Sequence, residues 1–275
     1  MKLLLRFAGM VLFSGLGSCL LVLGRPAYQG VAFQRYAQGE DGPIALEIDP
    51  RDKTEWAFVR LHYDGYSGGG GCFRGRGSRW TIDAPKADRQ FVQGVRRLTR
   101  LHARPVEQVV DPNSDELFNW PWIYAVEVGS WDFSEEQASR MRQYLLKGGF
   151  LMVDDFHGTC EWSIFLNGIH KVFPDRPVED LVNKDEIFHA LYDLDERFQV
   201  PGVQFLYTGR IYERDGYEAR WRGIRDDTGR IMVAICHNMD LGDAWEWADS
   251  PRYPERYTSL AYRIGINYVI YSMTH

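Results

Sequence analysis

The sequence predicts an α/β fold: a three-layer sandwich with a parallel sheet between helices, set behind an N-terminal apolar segment. Two observations carry this expectation. Short apolar runs of strand length alternate with helical periodicities, the pattern of a parallel sheet covered on both faces. Between residues 134 and 153 one such unit is spelled out in full. Ser134 and Gln137 form a capping box, a helix runs to Lys147, Gly148 and Gly149 stop it, and the apolar run 150–153 follows at once.

The remaining elements follow in chain order. Residues 56–63 (WAFVRLHY) read as a first strand. Pro85 opens a helix in which Phe91, Val92, Val95, Leu98 and Leu101 recur at helical spacing. Residues 106–110 and 122–128 read as strands. Past the run at 150–153, a helix is expected over 161–172, a strand over 229–237 and an amphipathic helix over 259–273. No internal repeat interrupts the series, so 55–275 reads as one domain, preceded by a tether over 28–54.

Residues 1–27 read as a signal-anchor or a signal peptide. Lys2 and Arg6 precede a nearly uncharged stretch of 18 residues ending at Gly24, roughly 27 Å of helix and close to one hydrocarbon core. Small-x-small cleavage sites are poor, because Arg25 spoils the one ending at Ala27. The stretch Leu16-Gly17-Ser18-Cys19 is like a lipoprotein box, but Leu20 to Leu23 continue the apolar run. An anchor is the preferred reading. The positive charge before it places the globular part outside the cytoplasm, on the periplasmic side, with the membrane as one partner and an envelope protein as another.

Hydrophobic content of 45% with 14% aromatics supports a packed core, and a net charge of −6 gives no basis for binding nucleic acid. Beyond the anchor only Cys72, Cys160 and Cys236 remain. No C-x-x-C spacing points to a zinc site, and a Cys72–Cys160 bridge is conceivable but unsupported by spacing. Cys236 ends an apolar strand and reads as a buried small residue.

Ligands of such sheets lie beyond the carboxyl ends of the strands. Three strand ends carry polar or aromatic clusters: Glu127, Ser130 and Trp131; Asp154, Asp155 and His157; and His237, Asn238 and Asp240, with Asp243 and Trp245 beyond. If the strands are neighbours, these residues line one pocket, with Asp155, His157 and His237 as catalytic candidates. The competing reading makes them helix caps and loop braces. Asp154 and Asp155 cannot both face one cleft unless the strand has already ended. No metal is expected, because H-E-x-x-H and similar ligand spacings are missing, and no cofactor is expected either. The glycine-rich segment 65–80 matches no phosphate-binding pattern and reads as a lid or surface loop, although Arg74, Arg76 and Arg79 could hold an anion. His62, His102, His170 and His189 read as structural. The aromatic stretches at 245–247 and 253–257 fit either a binding surface or loop packing.

Several blocks in order, Phe58 to Tyr63, Ala87 to Phe91, Val126 to Trp131, Lys147 to Gly158, His237 to Glu246 and Gly265 to His275, resemble the bacterial domain-of-unknown-function 4159 family over about residues 54–275. The resemblance implies a fold similar to class I glutamine amidotransferases, a flavodoxin-like parallel sandwich, in a membrane-anchored or exported protein. It implies no established activity. Amidotransferases carry a nucleophilic cysteine on a tight turn after a central strand. The matching turn here is Val153-Asp154-Asp155-Phe156-His157-Gly158, with aspartate in place of the thiol, and His237-Asn238-Met239 does not match the partnering His-x-Glu.

Three functions stay open on the sequence. The leading one is ligand or partner binding at the carboxyl-end pocket without amidotransferase chemistry. The others are a hydrolase acting on envelope or carbohydrate material through Asp155 or His157, and a structural subunit of an envelope complex.

Overall fold

The computed structural model describes residues 54–65, 72 and 79–275. Residues 1–27, expected from the sequence to be a signal-anchor or signal peptide, nearly all of the expected tether and most of the glycine-rich stretch lie outside the described residues. No described helix is long and apolar enough to cross a membrane.

Seven strands form the main sheet. In chain order they are β1 (Val59–Leu61), β3 (Gln108–Val110), β4 (Trp122–Val126), β6 (Phe150–Asp154), β7 (Glu179–Asp180), β8 (Arg220–Arg225) and β9 (Ile231–His237). Their order across the sheet is β3-β1-β4-β6-β9-β8-β7. The first five run parallel, as the alternation of strand and helix requires. The last two do not: β8 returns antiparallel beside β9 through a tight connection at 226–230, and β7 pairs antiparallel with β8. A hairpin needs only a short loop, whereas a parallel neighbour would need a crossover helix. A small two-stranded ribbon, β2 (Asp64–Gly65) with β5 (Trp131–Asp132), sits past the main sheet.

Alternation along the central strands divides the core in two. Trp122, Tyr124 and Val126 of β4, with Phe150 and Met152 of β6, face one layer of helices. That layer is α1 (Lys86–Leu98), α5 (Leu241–Glu246) and α6 (Glu255–Thr274). Ile123, Ala125, Leu151 and Val153 face the opposite layer, α2 (Glu135–Leu146) and α3 (Gly158–Val172). Both faces are apolar because both are covered. A short α4 (Phe205–Thr208) lies in the long connection between β7 and β8.

The capping box starts α2 as expected: Ser134 Oγ accepts from Gln137 N–H at 3.1 Å, and Ser134 N–H donates to Gln137 Oε1 at 2.9 Å. Two helices begin earlier than their sequence patterns indicate. α3 starts at Gly158 instead of 161, because its first N–H groups are capped from far along the chain. Asn238 Oδ1 takes Gly158 N–H at 2.8 Å and Asp215 Oδ1 takes Thr159 N–H at 3.0 Å. α6 starts at Glu255, directly after Pro254, whose fixed φ suits a helix entry.

Candidate functional site

Three adjacent strands, β4, β6 and β9, end in the same manner. The residue after each adopts a left-handed backbone: Glu127 (φ 54°), Asp155 (φ 53°) and Asn238 (φ 67°). That conformation costs a non-glycine residue about 1–2 kcal/mol. Hydrogen bonds that extend the ladders past the strands offset it. Glu127 N–H donates to the Asp154 carbonyl at 3.0 Å, Asp155 N–H to that of Met239 at 3.1 Å, and Asn238 N–H to that of Phe156 at 3.0 Å. The chain thus leaves the sheet at one level in three neighbouring strands.

Asp154 and Asp155 part at this turn. Asp154, the last residue of β6, keeps the side-chain direction of Met152 and reaches the start of α5. Its Oδ2 accepts from Leu241 N–H (2.8 Å), Gly242 N–H (3.0 Å) and the Tyr124 hydroxyl (3.1 Å). Burial pushes its pKa up to about 7 against these bonds. Asp155 is turned elsewhere and meets His157, with Oδ1 3.2 Å from Nε2. Glu213, from the connection before β8, brings Oε1 to 3.8 Å from the same Nε2. The ligand atoms of Asp155, His157 and Glu213 all lie within 4.8 Å of one another, as do those of Asp83, Asp240 and Asp243.

The carboxylates crowd this recess. Burial first, then the charges of Glu127, Asp83 and Glu213, hold Asp155 well above the usual carboxylate range. Burial pushes Glu127 up to about 7, although Arg79 Nη2 donates to its Oε1 at 2.5 Å. Asp83 and Asp240 are likewise raised by burial, then by Asp243 and by Asp155 respectively. Burial drives His157 down to about 3, so its imidazole is neutral and adds no positive charge.

Other candidates from the sequence are committed to the fold. Asn238 caps α3 and donates to the Glu218 carbonyl at 2.7 Å. Ser130 Oγ donates to the Glu127 carbonyl at 2.8 Å, bracing that turn. Trp131 stacks on Phe165 in one core layer, and Trp245 packs 4.3 Å from Phe91 in the other. Both indoles are buried among apolar neighbours, so neither lines the recess. Asp240 caps α5 by accepting from Asp243 N–H at 2.7 Å, and Asp243 Oδ2 accepts from Val203 N–H at 2.6 Å.

His237 does not join Asp155. Its ring lies between Phe156 and Trp162, at 4.9 and 4.7 Å, with Nε2 3.3 Å from the Gly158 carbonyl and Nδ1 3.4 Å from Arg222. Burial drives its pKa down to about 4. A neutral ring donating to a carbonyl and accepting from a guanidinium is satisfied, which makes it a packing residue.

A family model described as a domain of unknown function (DUF4159) matches residues 57–273. The chain belongs to that family. A search of curated proteins gives no match. Within this DUF4159 domain, two recess residues were missing from the sequence expectation, Asp83 and Glu213. Glu213 sits in an irregular stretch with no motif. Asp83 carried one local signal, an acidic residue just before the Pro85 that opens α1. The domain also carries a disulfide, Cys72–Cys160, across 88 residues. A separate groove of about 410 Å³ between α1 and α6, lined by Gln93, Arg97, Asp249 and Tyr262 among others, contains none of the recess side chains.

Proposed function

We propose that the domain is a binding module that takes a cationic group in the acidic recess at the carboxyl edge of its sheet, without amidotransferase chemistry. The carboxylate crowd is the observation that carries this reading. Two like charges about 5 Å apart repel by roughly 3 kcal/mol at an effective dielectric near 20. Asp155, Glu213, Asp83 and Asp240 are each held above the usual carboxylate range, and a cation entering among them would relieve that crowding. Arg79 is already set against Glu127, and Arg214 Nη2 against Glu161 Oε1 at 2.5 Å.

The parallel sheet covered on both faces supports a likeness to class I glutamine amidotransferases at the level of architecture. The chemistry of that class is a different matter, because it needs an exposed thiolate. Asp155 occupies the turn, Cys160 is bridged to Cys72, and burial raises the Cys236 thiol. The bridge also favours an oxidising compartment, in keeping with a domain held outside the cytoplasm by its N-terminal segment.

Titration calorimetry of spermidine into the full chain, at low and at high salt, tests the reading. Wild type is expected to bind in a salt-sensitive manner, with Asp155→Asn and Glu127→Gln each weaker. Equal affinity in all three would overturn it. The 3.2 Å contact of Asp155 with His157 favours a second reading, a hydrolase using that pair as acid and base. Turnover on a panel of glycans and esters, lost in Asp155→Asn, is its expected result.

A further inference from the structure

We propose that Asp155, His157 and Glu213 bind one divalent first-row transition-metal ion, with the imidazole and the two carboxylates as its protein ligands. This rests on the recess being a cation site and names the cation.

The first observation is that these side chains are uncommitted. Among the described residues, no main-chain N–H and no guanidinium donates a hydrogen bond to the carboxylate of Asp155 or Glu213. Asp154, Asp240, Asp243 and Glu127 all accept such bonds. What remains to Asp155 and Glu213 is each other's vicinity and His157.

The second, independent observation is the state of that imidazole. His157 is only 3% exposed, Nε2 faces the carboxyl groups of Asp155 and Glu213, and Nδ1 has no hydrogen-bond partner. A neutral imidazole carries one N–H and one lone pair. The one hydrogen-bond partner of either nitrogen is the Asp155 carboxyl at Nε2, and a metal ion that takes the Nε2 lone pair there leaves the ring proton on Nδ1. A metal ion is the partner that suits one nitrogen lone pair and two oxygen donors together. A third sign lies alongside: Asp83 Oδ2, in the neighbouring acidic triad, is closed off from water and accepts no hydrogen bond.

The spacing fits. Ligand atoms about 2.0 Å from a tetrahedral ion stand about 3.3 Å apart, against 3.2 Å from Nε2 to Asp155 and 3.8 Å from Nε2 to Glu213. All three ligand atoms lie within 4.8 Å of one another, and the Glu213 side chain, a third of which is exposed, is the one with room to move inward. A nitrogen donor favours zinc or manganese over calcium or magnesium, which prefer oxygen alone.

The test is calorimetric titration of the untagged full chain, stripped with EDTA, with Zn²⁺, Mn²⁺ and Mg²⁺ in turn. Manganese binding is also followed by electron paramagnetic resonance. The expected result is one equivalent of Zn²⁺ or Mn²⁺, at least tenfold tighter than Mg²⁺. Glu213→Gln and His157→Gln should each weaken it at least tenfold. Glu213→Gln changes a residue at the rim, so circular dichroism is expected to show a native fold. Absence of stoichiometric Zn²⁺ and Mn²⁺ binding by wild type overturns the proposal, as does wild-type affinity in both variants. If spermidine still binds in a manner that depends on Asp155 while neither metal does, the metal assignment falls and the recess reading stands.

Discussion

Adjacent residues of like charge can serve opposite ends, and Asp154 and Asp155 do. Asp154 belongs to the fold: its one carboxylate oxygen closes the start of α5 and receives the Tyr124 hydroxyl. Asp154→Ala strands three buried donors, and the expected loss is about 3 kcal/mol of stability, measured by urea unfolding. Asp155→Asn, by contrast, should leave stability nearly unchanged, because no main-chain N–H or guanidinium among the described residues relies on its carboxyl group. The raised acids also set a pH dependence. Burial pushes Glu161 up to about 8 and Glu127 and Asp154 up to about 7. Unfolded, each would titrate near 4. Between those values the folded chain holds more protons than the unfolded one, so stability falls as pH rises through 7 to 8. His157 and His237 act in the other direction, but only below about 6.5, where the unfolded imidazoles begin to charge. The EDTA-treated protein is therefore expected to melt at a higher temperature at pH 6.5 than at pH 8, by differential scanning calorimetry.

At the scale of elements, the five parallel strands and the α2 unit were legible because their signals are local, whereas β8 and the three two-residue strands were not read. Ser134, Gln137 and the Gly148-Gly149 stop lie within sixteen residues of sequence, and each does in space what its neighbours imply. The start of α3 was not legible, since Asn238 and Asp215 supply its caps from more than fifty residues away. The reversal of β8 and β7 was missed for a related reason. β7 is two exposed residues without periodicity, and only its pairing with Gly223 and Arg222 identifies it. The bridge from Cys72 to the first turn of α3 is the same kind of long-range fact. Opening it frees a long loop in the unfolded chain. Cys72→Ser with Cys160→Ser should cost about 2–4 kcal/mol, read as a lower urea midpoint that reductant no longer shifts.

For the molecule as a whole, alternation within β4 and β6 sorts the interior into two layers, and the aromatic residues concentrate in one of them. Trp56, Phe58, Phe91, Trp122, Tyr124 and Trp245 form a continuous set of ring contacts beneath α1 and α5. Trp245 is the clearest case of a side chain whose position in sequence misleads. It follows a polar strand end and stands among acids, yet α5 turns its indole inward onto Phe91. Trp245→Ala should cost about 3–5 kcal/mol, as expected for an emptied aromatic site, and should leave metal stoichiometry unaltered. The candidate site was half legible on the same grounds. Strand-end position marked Asp155 and His157, whereas Glu213 arrives by way of an irregular excursion, and nothing nearby in the chain announces it.

β6 has β4 on one flank and β9 on the other, with a helical layer above and another below. No edge of it meets solvent, so its peptide groups can trade hydrogen for deuterium only when the entire domain comes apart. The amides of Met152 and Val153 should consequently be the last to exchange, and their rate would serve as a direct gauge of how often the whole chain opens.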